Sequence, residues 1–236
     1  MPLRFSVKAI FYSIALFYAV NPAICQPDYT FKSFSVEEGL SNASVNKLFK
    51  DEYGLFWIGT RDGLDRYNGH DFRHYYHDKG NPKSLSDNYI FDLIQYGRDS
   101  LFIATDNGID IYRYSSDDFH HVHVANEEPY TAIHFEVDTQ NKLWATTSIG
   151  LLKIEKDSIY HFQADSLDPW SLDESYLQDI VFYKNKAFIS SYFSLNLLDI
   201  ATGKFSNKNN SENPVFHLSD TPIYKMKLTS DGYIWY

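Results

Sequence analysis

A chain of 236 residues with 21 Lys and Arg against 31 Asp and Glu carries a formal net charge of −10. That balance argues against nucleic acid as a partner, because phosphates demand a basic face. It favours solubility and neutral or cationic ligands. The lone cysteine, Cys25, excludes an internal disulfide framework, so a core must come from apolar packing, with 4 Trp, 19 Tyr and 18 Phe to supply it.

Residues 1–25 read as an export signal. Arg4 and Lys8 give a positive start, and Ala9 to Val20 is an apolar run too short to span a bilayer comfortably. Ala23-Ile24-Cys25 fits a small-x-small cleavage site, with Gln26 as the new N-terminus. Two rival readings stay open: a lipoprotein anchored through Cys25, which Ile24 fits poorly, and an uncleaved signal anchor. Residues 26–43 form a lead-in, with an outer strand expected over Tyr29 to Ser35.

From residue 44 a phrase recurs. Its copies are Leu55-Phe56-Trp57-Ile58-Gly59-Thr60, Leu101-Phe102-Ile103-Ala104-Thr105, Lys142-Leu143-Trp144-Ala145-Thr146 and Lys186-Ala187-Phe188-Ile189-Ser190; Gly232-Tyr233-Ile234-Trp235 begins a fifth. The large aromatic stands at Trp57, Phe102, Trp144, Phe188 and Trp235, in steps of 42 to 47 residues. A period of this size means a repeat architecture. Within the first copy, strands are predicted over 44–50, 55–60, 64–67 and 71–75. Asp51 to Gly54 makes a turn, and Asn68-Gly69 a two-residue hairpin with positive φ at both positions. Four antiparallel strands per repeat describe one propeller blade. The prediction is therefore all-β: a β-propeller with four complete four-stranded blades, at about 44–76, 89–123, 130–163 and 176–206, plus a partial fifth at 223–236. No stretch after residue 25 has a helical period. The linkers repeat as well: Asn81-Pro82-Lys83-Ser84-Leu85-Ser86 matches Asp168-Pro169-Trp170-Ser171-Leu172-Asp173, two blades later.

The Gly-Leu-Phe-Trp-Ile-Gly-Thr phrase with Gly63-Leu64 and Arg66-Tyr67, the Asn81 to Tyr89 linker, and the opening Phe31, Phe34, Glu37, Gly39-Leu40-Ser41 together resemble the two-component regulator propeller repeats. The resemblance covers residues 29–236. It implies the periplasmic sensor portion of a hybrid two-component regulator of Bacteroides-type bacteria, responding to polysaccharide fragments. It further implies downstream sensor domains and a histidine kinase in the same polypeptide, a homodimer in the full-length sensor, and no cofactor or catalysis in this region. The alternatives are a free-standing secreted propeller that binds a protein or glycan, and a propeller hydrolase or lyase.

The family's motifs mark scaffold, so the ligand-binding candidates are residues that break register: Trp170 in a linker and the run Tyr75, Tyr76, His77. The five recurring aromatics are expected to be core. His120, His121 and His123 invite a metal reading, but alternate strand faces and the absence of further ligands favour exposed outer-strand histidines. Asp106 to Asp110 lacks a calcium ligand series and reads as a turn. A glycosidase would need two carboxylates across a pocket; Asp92 and Glu136 lie on first strands, but nothing singles them out. The chain stops inside the fifth repeat, so an open arc of a larger propeller is expected. A weaker alternative has Tyr29 to Ser35 close the ring with 223–236.

Overall fold

The computed structural model describes residues 31–236 apart from 128, 157, 193 and 218–221. The signal region and Cys25 lie outside the described residues. Phe34 to Tyr236 form one unit of the chain, and the strands belong to it.

Four antiparallel four-stranded sheets follow one another in chain order. The first holds β1 (Val45–Lys50), β2 (Phe56–Thr60), β3 (Leu64–Tyr67) and β4 (Phe72–Tyr75). The second holds β5 (Ile90–Gln95), β6 (Ser100–Thr105), β7 (Gly108–Arg113) and β8 (Asp118–Val122). The third runs through β9 (Ala132–Val137), β10 (Leu143–Thr147), β11 (Gly150–Glu155) and β12 (Ser158–Phe162), and the fourth through β13 (Leu177–Tyr183), β14 (Lys186–Ser191), β15 (Leu195–Asp199) and β16 (Lys204–Ser206). A two-stranded sheet, β17 (Lys227–Leu228) with β18 (Ile234–Trp235), begins a fifth. Each sheet is a meander, and the first strands β1, β5, β9, β13 and β17 neighbour one another in turn. This is the open arc of propeller blades that the repeat predicted.

The anchor aromatic of each of the first four blades lies on its second strand and packs toward the next blade. Trp57 is fully buried, stacked on Tyr75 and tilted against Tyr112 of the second blade. Trp144 stacks on Phe162 and meets Phe182 of the fourth. Each indole N–H finds the carboxylate six residues upstream: Trp57 Nε1 donates to Asp51 at 2.8 Å, and Trp144 Nε1 to Asp138 at 2.9 Å. The other carboxylate oxygen of each Asp accepts two turn amides. Where the ring is Phe102 or Phe188, the residue six upstream is Tyr96 or Phe182. A phenyl ring has no N–H, so no acceptor is required there.

Two expectations on these anchors need correction. Phe188 is only half-buried. Trp235 is 70% exposed, because β18 pairs only with β17 and no further strand covers its ring. Two local readings also change. Gly69 alone takes positive φ at the β3–β4 turn, which spans four residues inside the Tyr67–Phe72 pair and is held by Asn68 Oδ1 accepting from the His70 and Asp71 amides. Residues 31–35 form no strand; the Phe34 ring packs instead on Tyr67 and Phe72 of the first blade.

A side-chain network ties linker to blade. Ser41 donates through its amide and hydroxyl to Asp65, which accepts from His74 at 2.7 Å, and Thr60 completes the set. Ser86, Thr105, Asp110 and His121 repeat it in the second blade. In the fourth blade Asn196 takes the Asp position, bonded to Asp173 and Asn207. Asn196 is thus a member of the network. The third blade has Leu152 there. His121 is not the exposed outer-strand histidine that was expected: its ring spans Asp110 and the Pro82 carbonyl.

Candidate functional site: a charge ladder on the inner strands

Just after a register shift in each of the first four inner strands, or in Lys225 just before β17, a titratable side chain points toward the adjacent blade. The bulges fall between Val45 and Lys47, Ile90 and Asp92, Ala132 and His134, and Leu177 and Asp179. A bulge re-aims the following side chain. The result is a continuous ladder. Lys47 Nζ lies 2.5 Å from Asp92, whose other oxygen accepts from His134 Nδ1 at 2.5 Å. His134 Nε2 lies 3.1 Å from Asp179, which accepts from Lys225 at 2.8 Å and from the Met226 amide at 2.5 Å. Glu136 stands 3.8 Å from His134 Nε2.

The carboxylates of Asp92 and Asp179 are almost wholly buried, while the side chain of Glu136 is partly exposed. Burial pushes Asp92 upward, but bonding and charge from His134, then Lys47, outweigh it and bring the carboxyl down to about 2. For His134, burial lowers and the Asp92 bond, Glu136 and Asp179 raise; the net is upward. The upward shift favours the imidazolium, and both ring nitrogens face carboxylates, Nδ1 toward Asp92 and Nε2 toward Asp179. The two carboxylates bridge neighbouring blades, Asp92 between Lys47 and His134 and Asp179 between His134 and Lys225.

A second feature lies at the rim. A cleft of about 410 Å³ is lined by His77, Asn107, His121, His123 and Tyr130 among others. Of the four sequence candidates, only His77 reaches it; its Nδ1 is 2.7 Å from the Leu85 carbonyl oxygen. Tyr76 is 44% exposed and covers Gly63, where φ is +113° and a Cβ would come within 2.7 Å of the Tyr76 ring. Tyr75 is buried, donates to Asp117 at 3.1 Å, and burial pushes its hydroxyl upward. It is a core ring and offers little surface to a ligand. Trp170 is two blades away, 44% exposed, with Lys204 Nζ 5.1 Å over its ring. The structure does not bring the four together. Among the described residues no group of His, Cys, Asp and Glu is arranged to hold a metal ion.

Blades built this way define the protein as a β-propeller. The repeat is of a particular kind: residues 39–62 match the model of the two component regulator propeller family, which bears out the resemblance drawn from the sequence. Over 70 residues, 30% of the chain, it is 37% identical to histidine kinase P4 of Formosa agariphila, of which the match spans 5%. Its fold is similar to the extracellular domain of a hybrid two component system from B. thetaiotaomicron (TM-score 0.72, 20% identity, 86% of this chain and 28% of that one). A second such domain from the same organism gives 0.60 and 19%, over 71% and 23%. Virginiamycin B lyase of Staphylococcus aureus gives 0.58 and 12%, over 81% and 62%. At these identities the structural likeness establishes the propeller fold alone.

Proposed function

We propose that this chain is the exported, non-catalytic sensing propeller of a hybrid two-component regulator, located in the periplasm and responding to polysaccharide fragments. The match of residues 39–62 to the regulator-propeller model carries this reading. Two further observations support it. The relative in Formosa agariphila is named a histidine kinase, and two of the similar structures are extracellular domains of hybrid systems. The inner strands spend their titratable groups on one another, which fits a scaffold better than a hydrolase or lyase. Kinase, receiver and dimer contacts belong to other parts of the full-length sensor.

Calorimetric titration of the exported sensor with oligosaccharides of differing backbone and charge tests the ligand class. Autophosphorylation of the intact regulator tests the signalling role. One glycan class should bind saturably, survive unaltered and change the phosphorylation rate. Chemical conversion of a glycan, or a phosphorylation rate indifferent to every bound sugar, defeats the reading.

A further inference from the structure

The seams between blades are not alike. At the first seam, Tyr75 of β4 meets Phe119 of β8, with ring centroids 5.3 Å apart. At the third, Phe162 of β12 meets Phe205 of β16 at 5.9 Å. Strand register places Val122 and Ile159 at the equivalent positions of the second seam. Two aliphatic side chains replace two rings, and Val124 and Tyr130 of the linker pack into the same cluster without closing the space. A groove of about 630 Å³ lies there, floored by Ile111, Val122, Val124, Ile154 and Ile159.

The linkers differ in the same way. Fourteen residues (76–89) join β4 to β5 and fourteen (163–176) join β12 to β13, but only nine (123–131) join β8 to β9. Each long linker lays an extended segment along its seam. It forms a parallel bridge, His77 with Leu85 or Ala164 with Leu172, and buries that leucine. It also offers a carbonyl to the outermost strand of the next blade: Phe119 N–H donates to Lys83 at 3.0 Å, and Phe205 N–H to Trp170 at 2.9 Å. The short linker supplies neither feature. Among the described residues no carbonyl outside the sheet ladder accepts from the corresponding amide, Ile159. An outer strand with no linker carbonyl laid on it among the described residues, beside an apolar trough, is what an extended segment adds to.

We propose that the groove between the second and third blades is a docking site for an extended peptide segment of a partner polypeptide, which seats a leucine-sized side chain on Ile154 and Ile159 and gives a carbonyl to the Ile159 amide. The chain's own linkers are the template for this occupant. Sugar is disfavoured, because the lining is mainly aliphatic and, His123 and His161 apart, offers no ring: no Trp, Tyr or Phe face meets a pyranose. The two charges at the groove mouth, Glu155 and Lys156, suit a polar peptide backbone flanking one apolar anchor.

The probe is a synthetic peptide of this chain's residues 77–89, with a Leu85→Asp version as control, titrated against the full chain. Hydrogen exchange is followed by fragment. The native peptide should bind saturably and slow exchange at Ile159, and the control should do neither. The double variant V122F/I159F restores the ring pair of the other seams and should weaken binding by at least about tenfold. If that variant fails to fold, the exchange pattern of the unaltered chain decides alone. Absence of binding, equal binding of the control, protection at Phe119 or Phe205 instead of Ile159, or a glycan that protects Ile159 where the peptide does not would each overturn the proposal.

Discussion

At the scale of single residues, His134 is the group whose ionisation the fold controls most directly. Its pKa is raised on folding, so its contribution is complete below the unfolded value near 6.5 and fades as pH rises through the folded one. Asp92 behaves oppositely. Its folded pKa of about 2 lies below the unfolded value, so its contribution holds above about pH 4 and is lost as pH falls toward 2. Stability should therefore be greatest between about pH 4 and 6.5 and lower at pH 9. Denaturant titration at pH 5.5 and 9 checks this, and His134→Gln should flatten the difference; an unchanged slope in that variant would refute the assignment. Asp92→Asn strips a charge partner from both Lys47 and His134. Breaking a buried pair in this way costs about 3–5 kcal/mol, to be read from the same titrations.

At the scale of the blade, the anchors separate into two kinds. Trp57→Ala and Trp144→Ala each empty a buried inter-blade site and should cost about 3–5 kcal/mol. Trp235→Ala should cost well under about 1 kcal/mol, since that ring is 70% exposed. Equal losses at all three would show that exposure does not govern them. The strands and the two indole anchors were legible in the sequence because a blade must bury one large ring per repeat, and turn residues bound each strand. The ladder was not. Its members are Lys47, Asp92, His134, Asp179 and Lys225, and what recurs there is complementarity between neighbours, which a search for identical residues passes over. Asp92 and Glu136 were visible as first-strand carboxylates, but without a partner to give them meaning. The Ser86–Thr105–Asp110–His121 network was within reach, because Ser41, Thr60 and Asp65 each precede their counterparts by 45 residues. The half-buried Phe188 and exposed Trp235 were misjudged because burial depends on what the neighbouring blade supplies.

At the largest scale, the last sheet of this chain presents an apolar surface. Tyr233, Trp235 and Tyr236 are about two-thirds exposed on or beside a sheet of only two strands. Unpaired strand edges with apolar side chains are templates for other chains. Sedimentation velocity on this chain should show association that grows with concentration and weakens in Trp235→Lys; a monomer at every concentration would defeat the expectation. The ladder bears on how such blades can form a ring. Basic and acidic groups alternate along it, Lys47, Asp92, His134, Asp179 and Lys225, over four inner strands and the residue that leads into the fifth. A circle of alternating signs closes without a mismatch only when its membership is even. Were these five strands to close on themselves, Lys47 and Lys225 would become neighbours, two ammonium groups with no anion between them. A ring that extends the same rule must therefore contain an even number of blades, or else break the rule at one seam with a neutral or doubly bonding residue.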